Sequence, residues 1–213
     1  FGGSGTVRCM SRAGVCGARG KRRWASSEAS ADVLSVVGLP SDFTLDVTNL
    51  SVLFNQATGN DGANPAAVPV PINWSALVDA GDPLNALAAS TTLAVSGNLT
   101  VNLGGYVLAA GGFDVTKTEE VGVNLGSENG TSVDVDLLRI DLTGVNLFIG
   151  AGAVFGPVVD APATIDTHDA TGFLVTDAGL SLAIASVTDA TPEDPQTDSR
   201  RWIGIAVTAN NLN

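Results

Sequence analysis

The sequence is poor in sulfur-containing and aromatic residues. Its two cysteines and single methionine, Cys9, Met10 and Cys16, all lie near the amino-terminal end of the 213-residue chain. Residues 25–213 therefore cannot form a disulfide, which excludes the disulfide-stapled scaffold of small secreted domains. Aromatic residues make up 5% of the chain and hydrophobic residues 45%, so the apolar content is mainly aliphatic.

Basic residues are equally scarce outside the amino-terminal region. Six of the ten Lys and Arg residues lie within residues 1–24, which contain no acidic residue. Residues 25–213 carry four basic residues against 22 acidic ones, a formal charge of −18. Because so acidic a surface repels phosphate backbones, we expect no nucleic-acid partner.

Long apolar runs are also missing. The uncharged, largely apolar stretch of residues 142–159 contains glycines and a proline, and this composition indicates strands and not a transmembrane helix. The basic residues 1–31 show no signal-peptide core. We interpret residues 1–31 as an atypical segment, either disordered or read in a wrong frame, and residues 32–213 as one β-rich repeat unit with the start of the next.

Segments in which every second residue is apolar dominate the rest of the sequence. Alternation with period two places every second side chain on the same face of a strand. Each of five segments shows two such alternations separated by a Ser or Thr and one or two small polar residues: residues 43–54, 92–103, 138–149, 173–184 and 203–213. The pattern predicts long strands.

The phase of the alternation changes in the middle of some segments. In residues 43–54 and 138–149 the apolar positions switch parity just after Thr48 and Thr143. A parity switch without a loop predicts a β-bulge or corner, so we expect these strands to bend. The segment around Ser96 shows no switch and is an exception to this pattern.

Turn residues suggest how the strands connect. Gly104–Gly105 and Asn129–Gly130 lie between alternating segments and predict hairpins. Only residues 73–90 have helical character, which Pro83 limits to a turn or two. The sequence thus predicts an all-β, elongated antiparallel unit with long bent strands. A β-solenoid is the alternative.

The tripeptide Arg-Arg-Trp occurs twice, at residues 22–24 and 200–202. Aligning Trp24 with Trp202 also aligns Ala31 with Ala209 and Leu34 with Leu212. Such self-similarity is the signature of a repeat. The offset predicts a repeating unit of about 178 residues.

Clustered acidic residues make calcium the one ligand that the composition suggests, because this ion prefers several hard oxygen ligands. The candidate ligands lie in two loops rich in Pro and Asp: Asp160, Asp166, Asp169, Asp189, Glu193, Asp194 and Asp198. No other cofactor is indicated. Solvated acidic loops are the alternative interpretation.

Catalytic chemistry is not indicated. His168 is the only histidine and has Asp166 and Asp169 beside it, but no reactive cysteine or nucleophile motif accompanies it. We therefore expect a protein that is not an enzyme.

The strings "LAVSGNLTVNLGGYVLAAGGFDVTKT", "LLRIDLTGVNLFIGAG" and "RRWIGIAVTANNLN" resemble the long tandem repeats of very large bacterial surface and adhesin-like proteins. The resemblance covers residues 32–213. It implies an extracellular or cell-surface location, neighbouring repeats as partners, and a structural or adhesive role toward surface glycans or other cells. Lipid binding in a groove along one apolar face of a bent sheet is the alternative function.

Overall fold

The computed structural model describes residues 5–13, 23–35, 38–59, 69–124, 132–156, 162–188 and 200–212. These residues form an all-β structure, as the sequence predicted, with one large antiparallel sheet and a separate two-stranded ribbon. The large sheet has eight strands, and its hydrogen-bonded order is β1-β2-β3-β4-β5-β6-β9-β10. The ten strands are β1 (Gly5–Ala13), β2 (Arg23–Ser35), β3 (Phe43–Thr58), β4 (Thr91–Leu103), β5 (Val107–Asn124), β6 (Ser132–Ala151), β7 (Val154–Phe155), β8 (Ile165–Asp166), β9 (Thr171–Val187) and β10 (Arg201–Leu212).

All neighbouring strands of the described sheet run antiparallel, and most are consecutive in the chain. A parallel β-helix would instead stack parallel strands in successive coils. The antiparallel prediction is therefore confirmed, and the solenoid alternative is not the observed arrangement. The described residues of all five alternating segments lie within strands of the large sheet.

The predicted bends occur where the apolar parity changes. Strand pairing shifts register between Thr48 and Ser51 in β3 and between Leu142 and Val145 in β6. A residue with positive φ immediately follows each threonine: Asn49 at 52° and Gly144 at 56°. These left-handed residues form the bulges. In β4, where the apolar parity does not change, pairing with β5 continues without a shift from Leu93 to Leu103.

The hairpin between β4 and β5 turns at Gly104 and Gly105, with φ values of 61° and 73°. Two consecutive positive φ values are typical of a type I′ turn, which glycine adopts without steric cost. The hairpin predicted at Asn129–Gly130 lies outside the described residues.

Two strands differ from the sequence-based expectation. Parts of the segment 1–31 lie in β1 and β2, and β2 pairs with a neighbour on each side. Sheet pairing uses backbone groups that every non-proline residue carries, so the Ser-rich sequence of β2 does not prevent it. A third strand, β3, also differs, because it extends to Thr58, beyond the alternating segment 43–54.

Two small hydrophobic clusters pack against the large sheet. The first lies between β3 and the connection to β4, which contains the short 3₁₀ helices Trp74–Ala76 and Pro83–Ala86. It buries four side chains: Leu53, Trp74, Leu84 and Leu87. The second lies beneath the β7–β8 ribbon and buries Leu108, Phe148 and Ala153.

Candidate interaction surface

The two faces of the large sheet differ sharply in polarity. Residues opposite one another in a ladder point to the same face, and the face alternates along each strand. One row of ladder partners crosses seven strands and consists only of apolar residues: Ala29, Val52, Val95, Val115, Ile140, Leu182 and Ile205. We call the face that carries this row the apolar face.

A second row on the same face lies beyond the bulges. It crosses five strands and is again wholly apolar: Phe43, Leu103, Val107, Ile149 and Phe173. The regular alternation of β4 places Val95 of the first row and Leu103 of the second on one face. The bulges at Asn49 and Gly144 switch strand parity where the sequence does, so the apolar side chains on both sides of each bulge share this face.

Side chains of the apolar face are only partly covered. Among the described residues, both buried clusters lie on the other face, since Leu53 and Phe148 alternate with Val52 and Ile149. The apolar face remains half-exposed at its centre and more open at its margins, where Phe173 is 72% exposed and Ile205 67% exposed.

A hollow of about 140 Å³ lies in the middle of the apolar face. Its walls include Leu99, Phe113, Leu142 and Val145, and its floor includes Gly111, where a Cβ atom would lie 2.9 Å from the Val145 side chain. The absence of a side chain at Gly111 therefore lets Val145 pack closely against the backbone of β5 at the edge of the hollow. Polar atoms contribute almost nothing to its lining.

The opposite face, the polar face, carries hydrogen-bonded charges near its centre. The Ser181 hydroxyl donates to Asp141 Oδ1 at 2.5 Å, and Arg139 Nε lies 2.6 Å from Asp141 Oδ2. The hydrogen bond from Ser181, and then that from Arg139, hold the pKa of Asp141 below its ordinary value of 3.8. Each of these contacts favours the ionised carboxylate.

The lowered pKa of Asp141 predicts an acid-dependent contribution to stability. Its stabilisation is complete above pH 3.8, the unfolded value, and is lost as the pH falls through the lower folded-state pKa. We expect Asp141→Asn to be less stable than the wild type at pH 6, with the difference shrinking below pH 4 in urea unfolding. Asp79→Asn, in an exposed connection, is the control. A difference between wild type and Asp141→Asn that does not change with pH would contradict the prediction.

The structure places two of the seven predicted calcium ligands in its described part. Asp166 lies in β8 and accepts a hydrogen bond from the His168 backbone N–H at 2.9 Å, while Asp169 is exposed in the following turn. The other five lie outside the described residues: Asp160, Asp189, Glu193, Asp194 and Asp198. No group of three potential metal ligands occurs in the described ranges. Calcium binding stays a prediction.

The two Arg-Arg-Trp tryptophans occupy equivalent places in their strands. Trp24 is the second residue of β2 and Trp202 the second residue of β10. Their surroundings differ, because β2 pairs with β1 and β3 whereas β10 pairs only with β9 in the described sheet. Residues 201–210 are accordingly exposed along β10.

The sequence led us to expect one apolar face on a bent sheet, but not that its apolar residues form continuous rows across neighbouring strands. The phase of the alternation could have revealed these rows. Each parity switch coincides with a bulge, and the bulge keeps the apolar side chains before and after it on the same face of the sheet. No helix in the described ranges is long and apolar enough to cross a membrane. Comparisons with protein-family models, curated proteins and solved structures found no match to this chain.

Proposed function

We propose that this protein is a non-catalytic structural repeat module, and that adjoining units extend one continuous sheet through strand β10. Strand β10 supports the proposal, because it has no second neighbour among the described strands and a strand edge presents N–H and C=O groups that another strand can satisfy. In line with the sequence resemblance, the module belongs to a large extracellular bacterial surface protein. Adhesion to glycans or other cells is the role that we expect for the assembled array.

The main support for the proposal is that corresponding residues of β2 and β10 point to the same face of the sheet. The alignment of Trp202 with Trp24 gives Val207 the position of Ala29, which lies opposite Val52 in β3. A β10 strand paired in that register with the β3 strand of a following unit would place Val207 beside Val52, on the apolar face. A slip of one residue would put Val207 on the polar face. The alignment of the two strands used the sequence and not the direction of any side chain. The shared face therefore supports the register independently.

A second contact follows from the same register. Ile205 takes the position of Ser27, which lies opposite Phe54, so Ile205 and Phe54 would also be neighbours on the apolar face. Ile205 and Val207 are 67% and 71% exposed in this chain. Pairing with a following unit would cover both side chains with apolar partners. Each Å² of apolar surface removed from water stabilises the paired state by about 25 cal/mol.

Lipid binding remains the alternative function. The apolar face offers a suitable surface, but the described residues form an open sheet with a hollow of about 140 Å³, whereas ligand sites usually enclose about 300–1,000 Å³. Calcium binding is the other alternative and depends largely on residues outside the described ranges.

A tandem protein tests the proposal. Residues 1–213 followed directly by residues 36–213 would contain two units joined in the register given by Trp24 and Trp202. We expect its melting temperature to exceed that of the single chain, because neighbouring repeats stabilise one another through their interface. Equal melting temperatures would contradict end-to-end pairing.

A disulfide tests the register itself. In the tandem protein with Cys9 and Cys16 changed to serine, Val207→Cys should cross-link to Val52→Cys of the second unit. Directly opposite residues have Cα atoms about 4.5–5.5 Å apart, within the range that a disulfide spans. The control pairs Val207→Cys with Ser51→Cys of the second unit, which faces the other side of the sheet. Cross-linking is measured by mass spectrometry before and after reduction, and equal cross-linking of both pairs would contradict the register.

A further inference from the structure

The apolar face is large for a surface exposed by a monomer. It spans six adjacent strands, β3, β4, β5, β6, β9 and β10, which at about 4.8 Å spacing cover about 29 Å. Along β3 it runs from Phe43 to Phe54, or about 40 Å at about 3.3 Å per residue. The resulting area of about 1,100 Å² exceeds the largest apolar patch of a typical monomer, about 300–600 Å².

Electrostatic repulsion does not prevent two apolar faces from packing against each other. Charged side chains of the face include Glu119, Asp136 and Arg201 in one row. The adjacent row contains Lys117, the ladder partner of Leu93 and Leu138. Its amino group lies 3.2 Å from Asp136 Oδ2, so the pair is neutral as a whole. The charged residues Asp114, Arg139 and Asp141 lie on the polar face, where like charges of two molecules would stay apart.

The shape of the face favours a second sheet over an enclosed ligand. Antiparallel sheets commonly have one solvated face and one packed face, and two sheets pack face to face about 10 Å apart with strands within about 30° of parallel. The hollow at Gly111 has a volume of about 140 Å³, too small for an enclosed ligand site of about 300 Å³ or more but open to a side chain from an opposing sheet.

We infer that the apolar face is the interface of a face-to-face homodimer, in which the apolar face of a second copy of this chain completes a β-sandwich. The available area, about 1,100 Å² on each partner, exceeds the 800 Å² or so that each partner contributes to a standard stable interface. The same surface on both copies forms the contact, as a two-fold dimer requires. This contact is independent of β10 pairing, which extends the sheet sideways and leaves the face free.

Sedimentation equilibrium of the full chain at micromolar concentration tests the inference. We expect a mass of twice 21.5 kDa for the wild type and for Thr116→Lys, and the monomer mass for Val115→Lys. Val115 and Thr116 are adjacent in β5 and face opposite sides of the sheet, so the same charge is added on either face. A monomeric wild type would overturn the inference, and so would a Val115→Lys protein that remains dimeric.

A second pair of variants avoids loss of folding. Ile205 is already 67% exposed at the edge of the apolar face, and Ala206 is its exposed neighbour on the polar face. We expect Ile205→Lys to weaken dimerisation at least tenfold and Ala206→Lys to change it less than threefold. Equal effects of the two variants would overturn the inference. Native mass spectrometry adds a further outcome, because a monomer carrying acyl lipid would assign the face to lipid instead.

Discussion

Replacement of Phe148 by alanine is expected to lower the free energy of unfolding by about 3–5 kcal/mol. Phe148 is 2% exposed in the cluster beneath the β7–β8 ribbon. Its ring lies over Gly150 and Gly172, which are ladder partners in β6 and β9. A Cβ atom at Gly150 would lie 2.7 Å from Phe148 Cζ, so the ring occupies the space that two missing side chains leave. Truncation would open a cavity that the rigid sheet cannot close.

The matched control for Phe148→Ala is Phe173→Ala. It removes the same side chain from a position that is 72% exposed, and we expect a loss of about 1 kcal/mol or less at protein concentrations below the dimer range. Urea unfolding followed by circular dichroism measures both changes. Similar losses for the two variants would contradict the role of Phe148 as the centre of this cluster.

Replacement of Asn55 by leucine is expected to cost about 2–5 kcal/mol, because it leaves buried polar groups without partners. Asn55 is 1% exposed. Its side-chain amide donates to the Ile72 carbonyl at 3.0 Å and to the Ala88 carbonyl at 3.3 Å, and its oxygen accepts from Trp74 Nε1 at 3.2 Å. These bonds attach the described part of the connection between β3 and β4 to the sheet at Ile72, Trp74 and Ala88.

The control for Asn55→Leu is Gln56→Leu, the same loss of an amide at the next, exposed position. We expect it to change stability by no more than about 0.5 kcal/mol. Guanidinium unfolding gives the energies. With Trp24 and Trp202 changed to phenylalanine in all proteins compared, tryptophan fluorescence reports whether Trp74 has left its buried site. An Asn55→Leu protein as stable as Gln56→Leu would show that the three hydrogen bonds are dispensable.

Local features of the fold were predictable because their causes are local. Alternation of apolar residues produced the strands, since period two matches the facing of side chains in a pleated chain. The bends at Thr48 and Thr143 were predictable because the apolar residues change parity there without a loop. A bulge is what keeps such residues on one face of a continuous strand. The turn at Gly104–Gly105 was predictable because glycine adopts positive φ without steric cost.

Strand β2 and the position of Asn55 were harder to predict. The Ser-rich sequence of β2 shows little alternation, and its strand structure comes from backbone pairing with β1 and β3 on either side. Asparagine is a residue type typical of loops. Asn55 is nevertheless buried, because the distant Trp74 and the carbonyls of Ile72 and Ala88 provide its hydrogen-bond partners. Such partners depend on which segments meet in space.

The sequence by itself determined an all-β chain with long bent strands, an acidic and nearly cysteine-free composition, and two strands that begin with the same residues. Only the tertiary structure decided the order of the strands, the placement of both buried clusters on the polar face and the position of β10 at the edge of the described sheet. Periodicity and turn chemistry act over a few residues and are written in the local sequence. Strand order and the covering of a face depend on contacts between residues far apart in the chain, which no short pattern specifies.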